Sequence, residues 1–123
     1  MWLMAKHGFY SIVEKKPGEF HIRARERGDL QNLIQRVPLP GCRVVDTPKA
    51  DYAARIVTDR DTVHTVMRFL VETLDYANFK TKIGGTPDQF HKPYHEVWDV
   101  LADALGAYGR PGQRTLQPGQ GEA

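Results

Sequence analysis

The segment Phe20–Arg25 constrains the fold most strongly, because apolar and polar residues alternate along it without a break. The apolar positions are Phe20, Ile22 and Ala24, and the polar positions are His21, Arg23 and Arg25. A period of two is typical of a β-strand that buries one face and exposes the other. The preceding segment, Lys16–Glu19, contains the turn signal Pro-Gly. The pattern therefore predicts a half-buried strand that forms a hairpin with the segment before the turn.

Residues 2–15 are predicted to form the partner strand, since they are rich in aromatic and β-branched side chains. Gly8 lies in the middle of this segment, where we expect it to mark a bulge. A third strand is predicted over Cys42–Asp46, with Cys42 as a half-buried small residue. The fourth covers Tyr52–Thr58. In that strand we expect Tyr52, Ala54 and Ile56 to face the core and Ala53, Arg55 and Val57 to face the other side.

Three helices are predicted from apolar residues at helical spacing. The first begins with Asp29 as its N-cap and buries the stripe Leu30, Leu33, Ile34 and Val37. The second is capped by Thr58 or Asp59 and runs to about Tyr76. A loop over residues 77–85 follows. The third helix is predicted to begin near Lys92 and carries the apolar residues Tyr94, Val97, Trp98, Leu101 and Leu105.

The order of these elements is ββαββα with a C-terminal helix, which predicts an α+β fold. The same order results when the last strand of a ferredoxin-like domain is moved to the front of the chain. We therefore expect a four-stranded antiparallel or mixed sheet with helices on one face and a parallel pair at its centre, the second and fourth strands. Two separate ββα units are the alternative. A hydrophobic content of 41% in 123 residues favours one domain over residues 1–105. We expect the Gly- and Pro-rich residues 106–123 to be a flexible tail.

Composition excludes several classes of protein. No apolar run approaches the ~20 residues that a membrane helix needs. The start of the chain, Met1–Lys6, lacks the charge and apolar pattern of a signal peptide, and a single cysteine excludes an internal disulfide. We therefore expect a cytoplasmic protein without membrane association. The net charge of +2 neither requires nor excludes a nucleic-acid partner.

The polar face of the second strand is the most informative candidate site. His21, Arg23 and Arg25 project from it, and Arg55 is expected on the same open face if the fourth strand is its neighbour. Adjacent guanidinium groups repel one another unless anions lie between them, and their planar fork suits phosphate and carboxylate. Tyr10 is predicted to stack on a base there. The alternative is internal pairing of the arginines with Asp46, Asp51, Glu14 or Glu26.

The segment after the second helix adds a second candidate. It places Asn78, Phe79 and Lys80 together, and a lysine there could reach a phosphate while Phe79 stacks on a base. The alternative is structural: the aromatic side chains pack under the loop and Asn78 adopts the left-handed conformation that ends a helix.

Signals for catalysis and metal binding are weak. His91 and His95 have the i, i+4 spacing of a zinc site, but the full metalloprotease motif is absent and Pro93 lies between them. Surface histidines are the better interpretation. Asp46 and Asp51 flank a turn, which is common without chemistry. We therefore predict no catalytic residues, no metal and no cofactor.

Several short motifs carry a resemblance. Five of them occur in this order: Gly8-Phe9-Tyr10-Ser11, Ile22-Arg23-Ala24-Arg25, Asp51-Tyr52 with Arg55, Asp75-Tyr76 followed by Asn78-Phe79-Lys80, and Tyr94-His95-Glu96-Val97-Trp98. Together they resemble a family of small bacterial proteins of unknown function over about residues 1–105. The resemblance implies no established activity. It suggests that Arg23, Arg25, Arg55, Asn78 and Lys80 form one constellation.

The leading hypothesis from the sequence is a non-enzymatic binding module whose basic sheet face holds the phosphate groups of RNA, DNA or a nucleotide. The main alternative is a protein–protein adaptor or inhibitor, of the accessory kind that mobile elements use against host defence, which docks through the open sheet or its edge. A minor alternative is a metal-dependent nuclease that uses Asp46, Asp51 or the histidines. A homodimer formed through the sheet is expected under either of the first two hypotheses.

Overall fold

The computed structural model describes residues 1–84 and 92–106. Its elements in chain order are β1 (Trp2–Ala5), β2 (Gly8–Lys16), β3 (Glu19–Ala24), α1 (Arg27–Arg36), β4 (Val45–Asp46), β5 (Ala54–Thr58), α2 (Arg60–Glu72), α3 (Phe79–Gly84) and α4 (Lys92–Leu105). The chain divides into two compact units, residues 1–77 and residues 78–123. The α+β class is confirmed, and the expectation of one domain over residues 1–105 stays a prediction.

The predicted long first strand is two strands, because the chain reverses at Lys6 and His7. Ala5 pairs with Gly8 across this turn, so β1 and β2 form an antiparallel hairpin. Gly8 therefore begins β2 and does not mark a bulge inside one strand. A Cβ atom at Gly8 would lie 2.5 Å from the carboxyl carbon of Asp29. Only glycine permits this close approach of the hairpin to α1.

The first unit contains a five-stranded sheet with the order β1-β2-β3-β5-β4, in which every pair is antiparallel. The predicted adjacency of the second and fourth strands is confirmed, since β3 pairs with β5. Their predicted parallel direction is wrong, and the ferredoxin-like order is not confirmed. The reason is that α1 carries the chain across to β4 at the edge of the sheet. The β4–β5 hairpin then returns β5 between β4 and β3, in the opposite direction to β3.

The core lies between one face of this sheet and the helices α1 and α2. Its buried residues are Tyr10, Ile12, Phe20, Ile22, Ala24, Leu30, Leu33, Val37, Ala54, Ile56, Val63 and Val66. This list confirms the apolar side of Phe20–Arg25 and most of the predicted stripe on α1. At about 25 cal/mol per Å² of buried apolar surface, such a cluster is the main source of stability for this unit.

Of the two predicted N-caps, the one on α2 is confirmed and the one on α1 is wrong. Asp59 caps α2 as predicted, since its carboxylate accepts the Thr62 N–H at 2.8 Å. The prediction of Asp29 as an N-cap is wrong, because α1 begins at Arg27 and Asp29 lies in its first turn. Its carboxylate accepts the Phe9 N–H at 3.1 Å. Asp29 therefore joins α1 to β2.

The connection between α1 and β5 contains less strand than predicted. The predicted strand Cys42–Asp46 is reduced to Val45–Asp46. Cys42 is half-buried against the core, as expected, with its Sγ atom 3.6 Å from the Thr58 hydroxyl oxygen.

In the second unit, the structure describes residues 78–84 and 92–106. The helix α3 occupies part of the segment predicted as a loop, because the Asn78 side chain accepts the Thr81 N–H at 3.0 Å and caps a turn of helix there. The helix α4 is described over Lys92–Leu105, which agrees with a third helix in this segment, and its predicted start near Lys92 stays a prediction. His91 and residues 107–123 of the predicted tail lie outside the described residues. No helix in the described part of the chain is long and apolar enough to cross a membrane.

Candidate functional site

The face of the sheet opposite the helices carries one row of side chains that crosses four strands. Trp2 pairs with Ser11, Ser11 pairs with Arg23, and Arg23 pairs with Arg55. Residues directly opposite each other in antiparallel strands point to the same face. His21 lies two residues before Arg23 on this face, and Arg25 follows β3. We call these six residues the arginine face: Trp2, Ser11, His21, Arg23, Arg25 and Arg55.

Tyr52 covers part of the arginine face. The guanidinium carbons of Arg23 and Arg25 lie 4.4 Å and 4.6 Å from the centre of its ring, and Tyr52 is only 7% exposed. The prediction that Tyr52 faces the core together with Ala54 and Ile56 is therefore wrong. The strand β5 begins at Ala54, so the alternation of the strand does not extend back to Tyr52.

The hydroxyl group of Tyr52 is held in a polar and positively charged environment. A hydrogen bond with Ser11 is the main reason that the pKa of Tyr52 lies below its ordinary value. A hydrogen bond from the Trp2 indole and the charges of Arg25 and Arg23 act in the same direction, and burial opposes them. These contacts therefore favour the ionised form of the Tyr52 hydroxyl more than water does.

Arg23 and Arg25 are held by neutral partners. The Nη2 atom of Arg23 donates to the Ser11 hydroxyl at 2.8 Å, and its Nε atom is buried with no acceptor among the described residues. The Nη1 atom of Arg25 donates to the Asp51 carbonyl at 3.0 Å. Arg25 is exposed, whereas Arg23 is partly buried. Both arginines therefore have donor groups that these partners leave unused.

Arg55 is held by His21. Its Nη1 atom lies 3.1 Å from Nδ1 of His21, and Nε2 of the same ring lies 3.1 Å from a carboxylate oxygen of Glu19. The Nε atom of Arg55 also donates to the Thr47 hydroxyl at 3.4 Å. The hydrogen bond from His21 is the main reason that the pKa of Glu19 is lowered.

Two of the four carboxylates that the sequence offered as partners for the arginines pair with other cations. Asp46 forms an ion pair with Arg27 at 2.8 Å, and Glu14 forms one with Arg60 at 3.4 Å. Asp51 contributes only its carbonyl group to Arg25. Among residues 1–84 and 92–106, no carboxylate lies within ion-pair distance of Arg23, Arg25 or Arg55. The alternative of internal ion pairing is therefore not found for these three arginines in the described residues.

The aromatic residue of the arginine face differs from the predicted one. Tyr10 is fully buried in the core and its hydroxyl donates to the Asp29 carbonyl at 2.9 Å, so the prediction that it stacks on a base is wrong. Trp2 is 70% exposed on this face, and its ring meets Phe9 edge-on with the ring centres 5.8 Å apart. The position of the turn after Ala5 decides which residues face outward. The sequence-based interpretation as one long strand therefore missed Trp2.

The remaining predicted site residues belong to the second unit and make their contacts there. Asn78 caps α3, which corrects the alternative of a left-handed helix end. The Phe79 ring stacks on Tyr94 with the centres 6.2 Å apart, and the Lys80 ammonium lies 3.7 Å from the centre of the Trp98 ring. Participation of Asn78, Phe79 and Lys80 in the arginine face stays a prediction.

No metal centre is present in the described residues, since no group of three or more His, Cys, Asp and Glu side chains there could hold an ion. His95 lies on α4, and its predicted partner His91 is outside the described residues. Comparisons of the chain with protein-family models, with curated proteins and with solved structures found no match. The resemblance to a family of small bacterial proteins stays a prediction.

Proposed function

We propose that this protein is a small binding module whose arginine face holds phosphate groups of a nucleic acid or a nucleotide. The observation that carries the proposal is the absence of a carboxylate partner for Arg23, Arg25 and Arg55 among the described residues. Three guanidinium groups on two adjacent strands raise the local positive potential. A phosphate group relieves this repulsion and matches the planar fork of arginine.

The contacts around Tyr52 support the proposal because they order the arginines in advance. The guanidinium groups of Arg23 and Arg25 already rest against the Tyr52 ring, and Ser11 holds Nη2 of Arg23. Immobilising a long side chain on binding costs about 0.5–1.5 kcal/mol. Because Arg23 and Arg25 are already partly ordered in the folded protein, less side-chain entropy is lost on binding, and the affinity for the ligand is higher.

A salt titration tests the proposal. The protein is mixed with labelled single-stranded RNA, single-stranded DNA and duplex DNA over a range of salt concentrations. We expect binding that weakens steeply with salt, because each neutralised phosphate releases a counterion. The change Arg25→Ala is expected to weaken binding and to reduce the salt slope by about one.

The matched control is Arg68→Ala. Arg68 is exposed on α2, on the helix-covered side of the sheet, and its replacement removes the same charge. An equal loss of affinity in both variants would reduce the effect to net charge and contradict a localised site. No binding of any nucleic acid or nucleotide at low salt would contradict the proposal altogether.

A second candidate function, docking on a partner protein, is favoured by the exposed side chains of α4. Four apolar residues of this helix are at least 46% exposed: Trp98, Val100, Leu101 and Leu105. Trp98, Leu101 and Leu105 share one face of the helix by their i, i+3, i+7 spacing, and an exposed apolar face of this kind marks an interaction surface. Co-purification of one protein in stoichiometric amount, lost in the variant Leu101→Glu and retained in Arg25→Ala, would support this function over the first.

A further inference from the structure

We infer that the ligand of the arginine face is a single-stranded nucleic acid and that one of its bases stacks on Trp2. This inference rests on the proposed function and names the ligand class and a contact residue within it. It is carried by three observations on the first unit: the exposure of Trp2, its place in the same row as Arg23 and Arg55, and the contact of its ring with Phe9.

The row places an aromatic surface and cations at regular intervals across the strands. Neighbouring strands lie about 4.8 Å apart, so Trp2 on β1 is about 10 Å from Arg23 on β3 and about 15 Å from Arg55 on β5. A strand of nucleic acid that runs along the row can therefore present a base to Trp2 and phosphate groups to the arginines. Ser11 lies between them but is only 1% exposed, so it offers no contact of its own and the nucleic-acid strand would pass above it.

The Trp2 side chain is exposed to solvent and is also in contact with a neighbouring ring. The residue is 70% exposed, which is unusual for so large an apolar side chain. Phe9 supports it edge-on, with the ring centres 5.8 Å apart. A ring held in this way offers an apolar surface to solvent with little rotamer entropy left to lose. These are the properties of a stacking platform.

The presence of an aromatic platform beside the cations favours a single strand over a duplex. In a duplex the bases are stacked on one another, and the surface that faces a sheet consists of phosphates and groove edges. Bases of a single strand are free to leave the stack and lie on an aromatic side chain. The arginines alone could bind the phosphates of a single strand or of a duplex, whereas Trp2 can stack only on a base that has left the base stack.

The test uses the fluorescence of Trp2. The chain has two tryptophans, Trp2 and Trp98, so the variant Trp98→Phe leaves Trp2 as the single reporter. We expect a single-stranded oligonucleotide to quench this fluorescence. A strand of equal length that has phosphates but no bases is expected to bind through the arginines without quenching.

Affinity measurements provide the second readout. Stacking is worth about 1–3 kcal/mol per base, which corresponds to about 5- to 150-fold in affinity. We expect Trp2→Ala to weaken binding of the single-stranded oligonucleotide within this range and to leave binding of the abasic strand unchanged. The variant Trp2→Phe is expected to recover most of the loss, because it retains an aromatic ring.

The outcomes separate this inference from the proposed function. Binding that depends on Arg25 without quenching of Trp2, or with duplex preferred over single strand, would overturn the inference and leave the proposed function standing. Absence of binding to every nucleic acid, and to tripolyphosphate, would overturn both. If Trp2→Ala fails to fold by circular dichroism, the fluorescence of the Trp98→Phe protein and the affinity of Trp2→Phe decide the matter.

Discussion

Arg55 fixes which ring nitrogen of His21 accepts a hydrogen bond. Its Nη1 atom lies 3.1 Å from Nδ1 of the imidazole, and a guanidinium group can only donate hydrogen bonds. Nδ1 must therefore be the acceptor, which leaves the proton on Nε2, where it is donated to Glu19 at 3.1 Å. His21 therefore links Arg55 to Glu19 through its two ring nitrogens.

The tautomer of His21 is the first prediction. Long-range ¹H–¹⁵N NMR at neutral pH is expected to show His21 protonated on Nε2 with Nδ1 as an acceptor, because Arg55 donates to Nδ1. In the variant Arg55→Ala this constraint is removed, and we expect the Nδ1 signal to move. A signal for His21 protonated on Nδ1 in the native protein would contradict the arrangement.

The second prediction concerns the two roles of Tyr52. Replacing it by Phe removes the hydrogen bond with Ser11 but keeps the ring, so we expect a loss of about 1 kcal/mol in the free energy of unfolding and little change in phosphate affinity. Replacing it by Leu removes the ring against which Arg23 and Arg25 rest, and binding is expected to weaken. Urea unfolding and a binding titration measure the two effects. Equal affinities for Tyr52→Leu and the native protein would show that the ring does not order the arginines.

The third prediction follows from the close approach of Gly8 to Asp29. The variant Gly8→Ala is expected to lower the free energy of unfolding by about 1–3 kcal/mol, because its Cβ atom would lie 2.5 Å from the Asp29 carboxyl carbon. The control Gly28→Ala meets no atom within 4 Å and lies in α1, so it is expected to stabilise the protein by about 0.5–1 kcal/mol. Urea unfolding measures both. Similar stabilities for the two variants would contradict the described packing of the hairpin on α1.

The fourth prediction is a pH dependence that arises from His7. Burial is the main reason that the pKa of His7 lies below 6.5, and the charges of Lys6 and Arg36 act in the same direction against a smaller opposing effect of Asp75. Its Nε2 atom lies 3.1 Å from the Thr73 hydroxyl oxygen. The folded protein therefore favours neutral His7. Its stabilising effect is complete above pH 6.5 and is lost as the pH falls through the lowered pKa.

The variant His7→Gln measures this contribution, because glutamine can still hydrogen-bond Thr73 but does not titrate. Between about pH 7.5 and about pH 5, the native protein is expected to lose more of its free energy of unfolding than the variant does. Carboxylates such as Asp59, whose pKa is lowered mainly by the hydrogen bond with the Thr62 N–H, titrate equally in both proteins. Identical pH profiles would show that His7 does not contribute.

Local patterns in the sequence were sufficient for most of the secondary structure and for half of the site. The alternation of Phe20–Arg25 requires one buried and one polar face, whatever the neighbours of the strand are. It therefore predicted the common face of His21 and Arg23 correctly, and Arg25, which follows the strand, contacts the same Tyr52 ring as Arg23. The Asp59 cap and the buried stripe on α1 are local in the same sense, since each depends on residues within one or two turns of helix.

The remaining features depend on contacts between residues far apart in the chain, which no local pattern contains. The turn at Lys6 and His7 decides that Trp2 faces the arginines and that Tyr10 enters the core, since a shift of one residue exchanges the faces of a strand. The return of β5 between β3 and β4 brings Arg55 beside Arg23. The residues that precede β5 place the Tyr52 ring against the guanidinium groups of Arg23 and Arg25.

By itself, the sequence thus determined which residues are polar, apolar or charged on each element. Only the tertiary structure decided which of them share a surface, because strand order and register are set by packing across the whole sheet.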